Sequence, residues 1–252
     1  MIPSTDGITV VADGVLRLSR AHVNCYLVIE RDEIVLIDGG LPRMWPLLLQ
    51  ALGEAGARPS DISAVLLTHG HFDHVGMCDR LVDEHHVPVH IHEKDAHLAR
   101  HPYRYAHESP RLRYPFRYPA AIPILGRMTA AGALWVKGVT ARPDVRPGAA
   151  LPGMTGLVAV GSPGHTFGHC GFLLPHRGIL FSGDALVTLD PYTGRTGPRL
   201  VARAATADGD AARRSLSALE DTRAHLVLPG HGDAYADGVV AAARAARAEE
   251  LA

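Results

Sequence analysis

The chain has 252 residues, 47% of them hydrophobic and 20% charged, which supplies a sizeable core and argues against disorder over most of its length. With 25 Lys and Arg against 26 Asp and Glu, the net charge of −1 gives no general attraction to polyanions, so nucleic acid is not expected as a partner. The first residues lack the basic start and apolar run of a secretory leader, and no later stretch suits a bilayer span; a cytoplasmic protein without a membrane partner is expected.

In chain order, short β-prone runs at 14–19, 24–30 and 33–38 are separated by turn or charged residues. Residues 42–56 carry Leu47, Leu48, Leu49 and Leu52 among good helix formers, and 62–68 (ISAVLLT) is a continuous apolar run typical of a strand covered on both faces. A helix over 78–86, a strand over 87–92 and a helix over 93–100 follow, the alternation of a layered α/β protein. From 101 to 152 the chain is rich in Pro, Arg and Tyr and too long for a plain connector, so it is expected to form a cap inserted in a single domain of residues 1–252. Strands are expected again at 156–161, 171–174 and 178–182, then a loop at 190–198, a helix at 207–221, a strand at 225–228 and a closing Ala-rich helix.

Histidine is the unusual count, at 16. The run Thr68-His69-Gly70-His71-Phe72-Asp73-His74 gathers three imidazoles and a carboxylate in one loop directly after a buried strand, where a turn converges side chains that a regular element would scatter. His165 (in Ser162-Pro163-Gly164-His165-Thr166), Asp184 (in Phe181-Ser182-Gly183-Asp184) and His231 (in Leu228-Pro229-Gly230-His231-Gly232) each stand at the end of an expected strand and bring the candidate ligands to seven. His85, His86, His90, His92, His97, His101, His107, His176 and His225 lie outside these motifs and are left unassigned. Cys25, Cys78 and Cys170 are widely spaced and form no CxxC pair, which predicts buried free thiols.

The H-x-H-x-D-H run followed by lone His, Asp and His residues in Gly-rich settings resembles the metallo-β-lactamase superfamily, over essentially the whole chain except the insertion. The resemblance implies an α/β fold, an αββα four-layer sandwich with metals at one edge of two packed sheets. It also implies that His69, His71 and His165 hold a first metal, that Asp73, His74 and His231 hold a second, and that Asp184 bridges them. Asp73 and Asp184 would then serve in catalysis. Asp38, in Val35-Leu36-Ile37-Asp38-Gly39, matches the family's early strand-end Asp and is expected to accept a hydrogen bond from a ligand imidazole or a loop amide. His169, in the G-H-T-x-G-H pattern, is expected behind the ligands. Imidazole and carboxylate donors suit two zinc ions, and iron and manganese are compatible with them.

The implied activity is hydrolysis of an ester, thioester or lactone of a small molecule by metal-bound hydroxide. True metallo-β-lactamases commonly carry Cys where this chain has Asp184, which argues against β-lactams. Homoserine-lactone lactonases place a catalytic Tyr where this chain has Val187, so Tyr192 is either a substitute or a turn residue. Type II glyoxalases append a helical domain, whereas little sequence follows His231, which argues against glutathione thioesters. Two alternatives stand beside hydrolysis: an iron-dependent persulfide dioxygenase, and a non-catalytic binding protein of the same fold. In the insertion Arg100, Arg104, Arg111, Arg113, Arg117 and Arg127 alternate with Tyr103, Tyr105, Tyr114, Phe116 and Tyr118. That pattern reads either as a basic, aromatic lid for an anionic or acyl-carrier-linked substrate, or as a solvated or homodimer-forming surface.

Overall fold

The computed structural model describes residues 6–30, 33–153 and 156–252; the beginning of the stretch read for a leader lies outside them. An antiparallel meander opens the chain, with β1 (Gly7–Ala12), β2 (Val15–Arg20), β3 (Val23–Glu30) and β4 (Glu33–Ile37). Helix α1 (Trp45–Glu54) crosses over to β5 (Ala64–Leu66), which runs parallel to β4. After α2 (Phe72–Val75) and α3 (Cys78–His85) comes β6 (Val89–His92), parallel to β5. Helices α4 (Ala96–Arg100), α5 (Tyr114–Arg117) and α6 (Ile122–Ala130) precede β7 (Arg142–Val145), which pairs parallel to β6 and completes a seven-stranded sheet among the described residues.

The second half builds β8 (Val158–Gly161), β9 (Cys170–Leu174) and β10 (Ile179–Gly183), with β9 antiparallel to both of its neighbours, then the ribbon of β11 (Val187–Leu189) and β12 (Thr196–Arg199). Helix α7 (Gly209–Asp221) leads to β13 (Leu226–Pro229), parallel to β10, and α8 (Val239–Ala248) closes the fold. The smaller sheet has the order β13-β10-β9-β8.

Side chains alternate across each strand, and that alternation divides the molecule into layers. Val35 and Ile37 of β4 and Ala64 and Leu66 of β5 meet Phe172, Ile179, Phe181 and Leu228 of the other sheet in the central core. Their neighbours Leu36 and Val65 face outward onto Leu48 and Leu52 of α1 and Leu81 of α3. On the far side, Leu180 and Val227 pack under Leu216 and Leu219 of α7 and Val239 and Ala243 of α8. The result is an αββα sandwich. No helix among the described residues is long and apolar enough to cross a membrane.

Three features differ from the sequence reading. Strand β1 is an additional edge strand, and the expected loop at 190–198 contains the return strand of the β11–β12 ribbon. Within the stretch 101–152, β7 belongs to the main sheet rather than to a cap, and Ile124 and Met128 of α6 join the core over that sheet. Arg142-Pro143-Asp144-Val145 has one buried residue and a proline, which suits an edge strand and hides its pairing from a hydrophobicity pattern.

The layers fix where loops can converge. Strands β8, β10 and β13 point the same way, and the loops leaving them and β5 meet at one edge of the sandwich. Phe181 is fully buried between the sheets, edge-on to Tyr26 at 5.3 Å between ring centroids. Phe181→Ala is expected to lower the unfolding free energy by about 3–5 kcal/mol, read as an earlier midpoint in urea denaturation with an unchanged slope.

Candidate metal centre

The peptide after β5 supplies His69, His71, Asp73 and His74 within a single turn, because α2 begins at Phe72 and lifts Asp73 and His74 back toward the sheet edge. His165 lies on the loop after β8, Asp184 directly follows β10, and His231 follows β13. All seven side chains are buried, and they converge in three overlapping groups: His69 with His71 and His165; His69 with His74 and Asp184; and Asp73 with His74 and His231. Within each group the donor atoms lie no more than 4.8 Å apart.

Hydrogen bonds behind the cluster fix which ring atom faces it. Asp38 accepts from the Thr68 amide at 2.8 Å, from Thr68 Oγ1 at 2.8 Å and from His74 Nδ1 at 2.9 Å, so it serves a loop amide and a candidate ligand together. Thr68 Oγ1, having donated to Asp38, accepts from His69 Nδ1 at 3.0 Å. His231 Nδ1 donates to the His22 carbonyl at 3.0 Å. In His69, His74 and His231 the Nε2 atom is therefore turned inward, the arrangement by which outer hydrogen bonds orient metal-binding imidazoles.

His169 accepts the Asp184 amide at Nε2 (3.0 Å), which requires a proton on Nδ1, and Nδ1 donates to Ser162 Oγ at 2.8 Å. It holds the backbone of Asp184 rather than facing the cluster. Glycine is required opposite that carboxylate: a Cβ on Gly230 would fall on Asp184 Oδ1 and lie 2.8 Å from His74 Cε1.

The electrostatics divide the cluster in two. Burial and neighbouring imidazoles hold His69 and His71 well below the usual histidine value, and burial pushes His165 down to about 4, so these rings are neutral with free lone pairs. Burial acts in the same direction on His74 and His231, but Asp184 with Asp38 outweighs it at His74, and Asp184 with Asp73 outweighs it at His231. His74 is lifted well above its usual value and His231 to about 10. Burial penalises the Asp184 carboxylate, yet His231 and His74 keep it ionised far below the usual range.

The donor set fits a cation. His69 Nε2 is buried without a hydrogen-bond partner, which costs about 1–3 kcal/mol, and His74 Nε2 and Asp184 Oδ1 face each other 3.5 Å apart without forming a hydrogen bond. His165 Nε2 and His71 Nδ1 stand 3.0 Å apart, both on neutral rings, so at least one lone pair is open to an ion. Imidazole nitrogens and carboxylate oxygens together make a site for zinc, iron or manganese.

Residues 18–231 match the metallo-beta-lactamase superfamily. The chain belongs to that superfamily. It is 33% identical over 167 residues to the uncharacterised protein YobT of Bacillus subtilis (strain 168), a match covering 65% of this chain and 61% of YobT, less than two thirds of that relative. To the probable metallo-hydrolase YflN of the same organism it is 25% identical over 88% of this chain and 84% of YflN. The crystal structure of TTHA1623 in a di-iron-bound form superposes with a TM-score of 0.66 at 27% identity, covering 92% of this chain and 98% of that one.

Several supporting residues of this superfamily member carry no motif. Asp95, at the start of α4, is buried and accepts from Thr166 Oγ1 at 2.6 Å, the Gly168 amide at 2.7 Å and the Gly70 amide at 3.3 Å, tying the His69–His74 loop to the His165 loop. Asn24 donates to the Pro229 and Gly232 carbonyls at 3.0 and 2.8 Å and so clamps the turn of His231. Only the burial of a carboxylate and an amide signals these roles, and burial is not visible before folding. The remaining unassigned histidines stand apart from the cluster; His90 pairs with Asp144 at 2.8 Å and His176 with Glu30 at 2.7 Å.

Asp184 with Asp73 lifts His231 to about 10, and Asp184 with Asp38 acts in the same direction on His74, so both rings favour a proton that an ion must displace. Metal loading of the metal-free protein at pH 7 is expected to release at least the His231 proton, with apparent affinity rising with pH toward about 10. Calorimetry in buffers of different ionisation enthalpy measures that release; loading without it would place the ion elsewhere.

Proposed function

We propose that the chain is a metal-dependent hydrolase acting on an ester, thioester or lactone, with two ions held by His69, His71 and His165 and by Asp73, His74 and His231, and with Asp184 between them. The observation that carries this reading is the convergence of seven buried donors, three of them with inward atoms that make no hydrogen bond, beneath one cavity. Among the residues lining that cavity there is no Ser, Thr, Cys or Lys. Cys25, Cys78 and Cys170 are buried elsewhere, and burial pushes the Cys170 thiol up to about 12. The Asp and His side chains in that lining are the candidate ligands, so this reading makes water the attacking group. When bound, the ions would supply Lewis acidity toward a carbonyl oxygen and lower the pKa of water toward neutrality.

The chain's own groups do the rest. Asp73 lines the cavity, with Oδ2 3.3 Å from His231 Nε2, and its carboxylate can hold a proton for the leaving oxygen or sulfur. Tyr105 and Tyr192 also line it, their hydroxyls 2.8 Å apart. Burial raises both phenols, so both keep their protons, and one bond between them leaves one O–H to donate to substrate. Asp190 presents Tyr192 by accepting its amide at 3.1 Å and the Thr193 hydroxyl at 2.6 Å, an Asx turn. Leu125 and Met128 of α6 add apolar side chains to the lining.

The arginines of the insertion do not line this cavity. Arg111 stacks on Tyr105, 3.8 Å from the ring centroid, and Arg117 lies 5.7 Å from the centre of the Tyr118 ring. Zinc, iron and manganese all fit the donors, and the di-iron form of TTHA1623 keeps iron among the ions to test first.

Asp184→Ala and His71→Ala are each expected to lower turnover of an activated ester or lactone by about a thousandfold or more, with an unchanged circular dichroism spectrum and reduced metal content. Full activity in either variant would refute the assignment. Tyr192→Phe is expected to retain its metal and lose about 100-fold in kcat/KM, checked by steady-state kinetics beside metal analysis.

A further inference from the structure

The cavity directly above the ligands has a volume of about 20 Å³, room for about one water-sized group, so most of any substrate must lie beside it. A second cavity, of about 180 Å³, shares part of its lining with the first. Tyr105 lines both, and Thr166 and Phe167 in the wall of the second follow His165 directly in the chain. Leu98 and Phe167 make its walls apolar, and Phe167 is 56% exposed, an uncovered ring two residues from a candidate metal ligand.

Lys94, His97 and Arg104 also line this groove. Among the described residues no carboxylate pairs with Lys94 or Arg104. The one carboxylate in the lining, Asp95, is buried and already accepts three hydrogen bonds from Gly70, Thr166 and Gly168. The groove thus combines apolar walls with two cationic side chains that no described carboxylate pairs with. By contrast the arginine-rich cavity that includes Arg113, Arg117, Arg195 and Arg203 shares no lining residue with the cavity over the ligands, and Arg203 is paired with Glu108.

We infer that the groove is the substrate's specificity subsite: it takes an apolar stem along Phe167, Leu98 and Tyr105 that ends in an anionic group held by Lys94 and Arg104. This rests on the hydrolase reading only in placing the reacting carbonyl over the His/Asp cluster. The substrate class that follows is an ester, thioester or lactone whose acid part carries a second, terminal negative charge.

Calorimetric titration of the metal-loaded protein with succinate, adipate and suberate, each against butanoate, hexanoate or octanoate of the same length, tests the subsite without turnover. At least one dicarboxylate is expected to bind about tenfold tighter than its partner, with that ratio falling to near one in the Lys94→Glu/Arg104→Glu double variant. Equal affinity in every pair, no binding by any acid, or a ratio that survives charge reversal overturns the subsite. Preference for a dicarboxylate without hydrolysis of any ester would remove the hydrolase reading and leave the subsite standing; hydrolysis without the preference would do the reverse.

Discussion

The folded chain withdraws five imidazoles and two carboxylates from water into one cleft, and that desolvation shapes the surrounding structure. Burying such groups is affordable only where partners satisfy them. Asp38 carries much of this burden, accepting from His74 and twice from Thr68, and it does so in a left-handed backbone conformation, φ 61°, that L-residues seldom adopt. Strain of that kind costs on the order of 1–3 kcal/mol and persists where the surroundings over-determine it. Here the β4 strand end, Thr68 and His74 do so.

The same constraint shapes the inner face of the cluster. The outer ring atoms of His69, His74 and His231 are all hydrogen-bonded; inward, Nε2 of His69 and His74 makes no hydrogen bond, and Nε2 of His231 faces Asp73 and Asp184 at 3.3 and 3.2 Å. The neutral trio of His69, His71 and His165 and the charged pair of His74 and His231 around Asp184 form an electrically uneven cleft. A cation relieves both halves: it uses lone pairs on the first and replaces protons on the second.

Around this centre the insertion contributes an apolar and phenolic roof rather than a basic one. Tyr105, Leu125 and Met128 reach the cavity, while Leu112 and Phe116 point to solvent, 85% and 90% exposed. Arginine stems stack on the outer sides of the tyrosines, as at Arg111 on Tyr105, where they can shape the rings without entering the cleft. In the proposed reading, chemistry is separated from selection: loops at the sheet edge carry the candidate metal ligands, and the groove lined by Lys94, Leu98, Arg104 and Phe167 would take the rest of the substrate.

The sequence by itself determined the layered α/β architecture, the positions of most strands and helices, and the loops in which the seven donors stand, because periodicity and clustered His and Asp residues are local properties of the chain. Strand β7 escaped it, since an edge strand of Arg, Pro, Asp and Val carries no hydrophobic alternation. Only the tertiary structure decided that Asp95 ties two ligand loops, that Asn24 clamps the His231 turn, that His169 holds the Asp184 amide, and that Tyr105 and Tyr192 meet. Those pairs lie from 15 to 208 residues apart. Which of many similar side chains becomes buried, and against what, is settled by how the two sheets stack, and no local pattern records it.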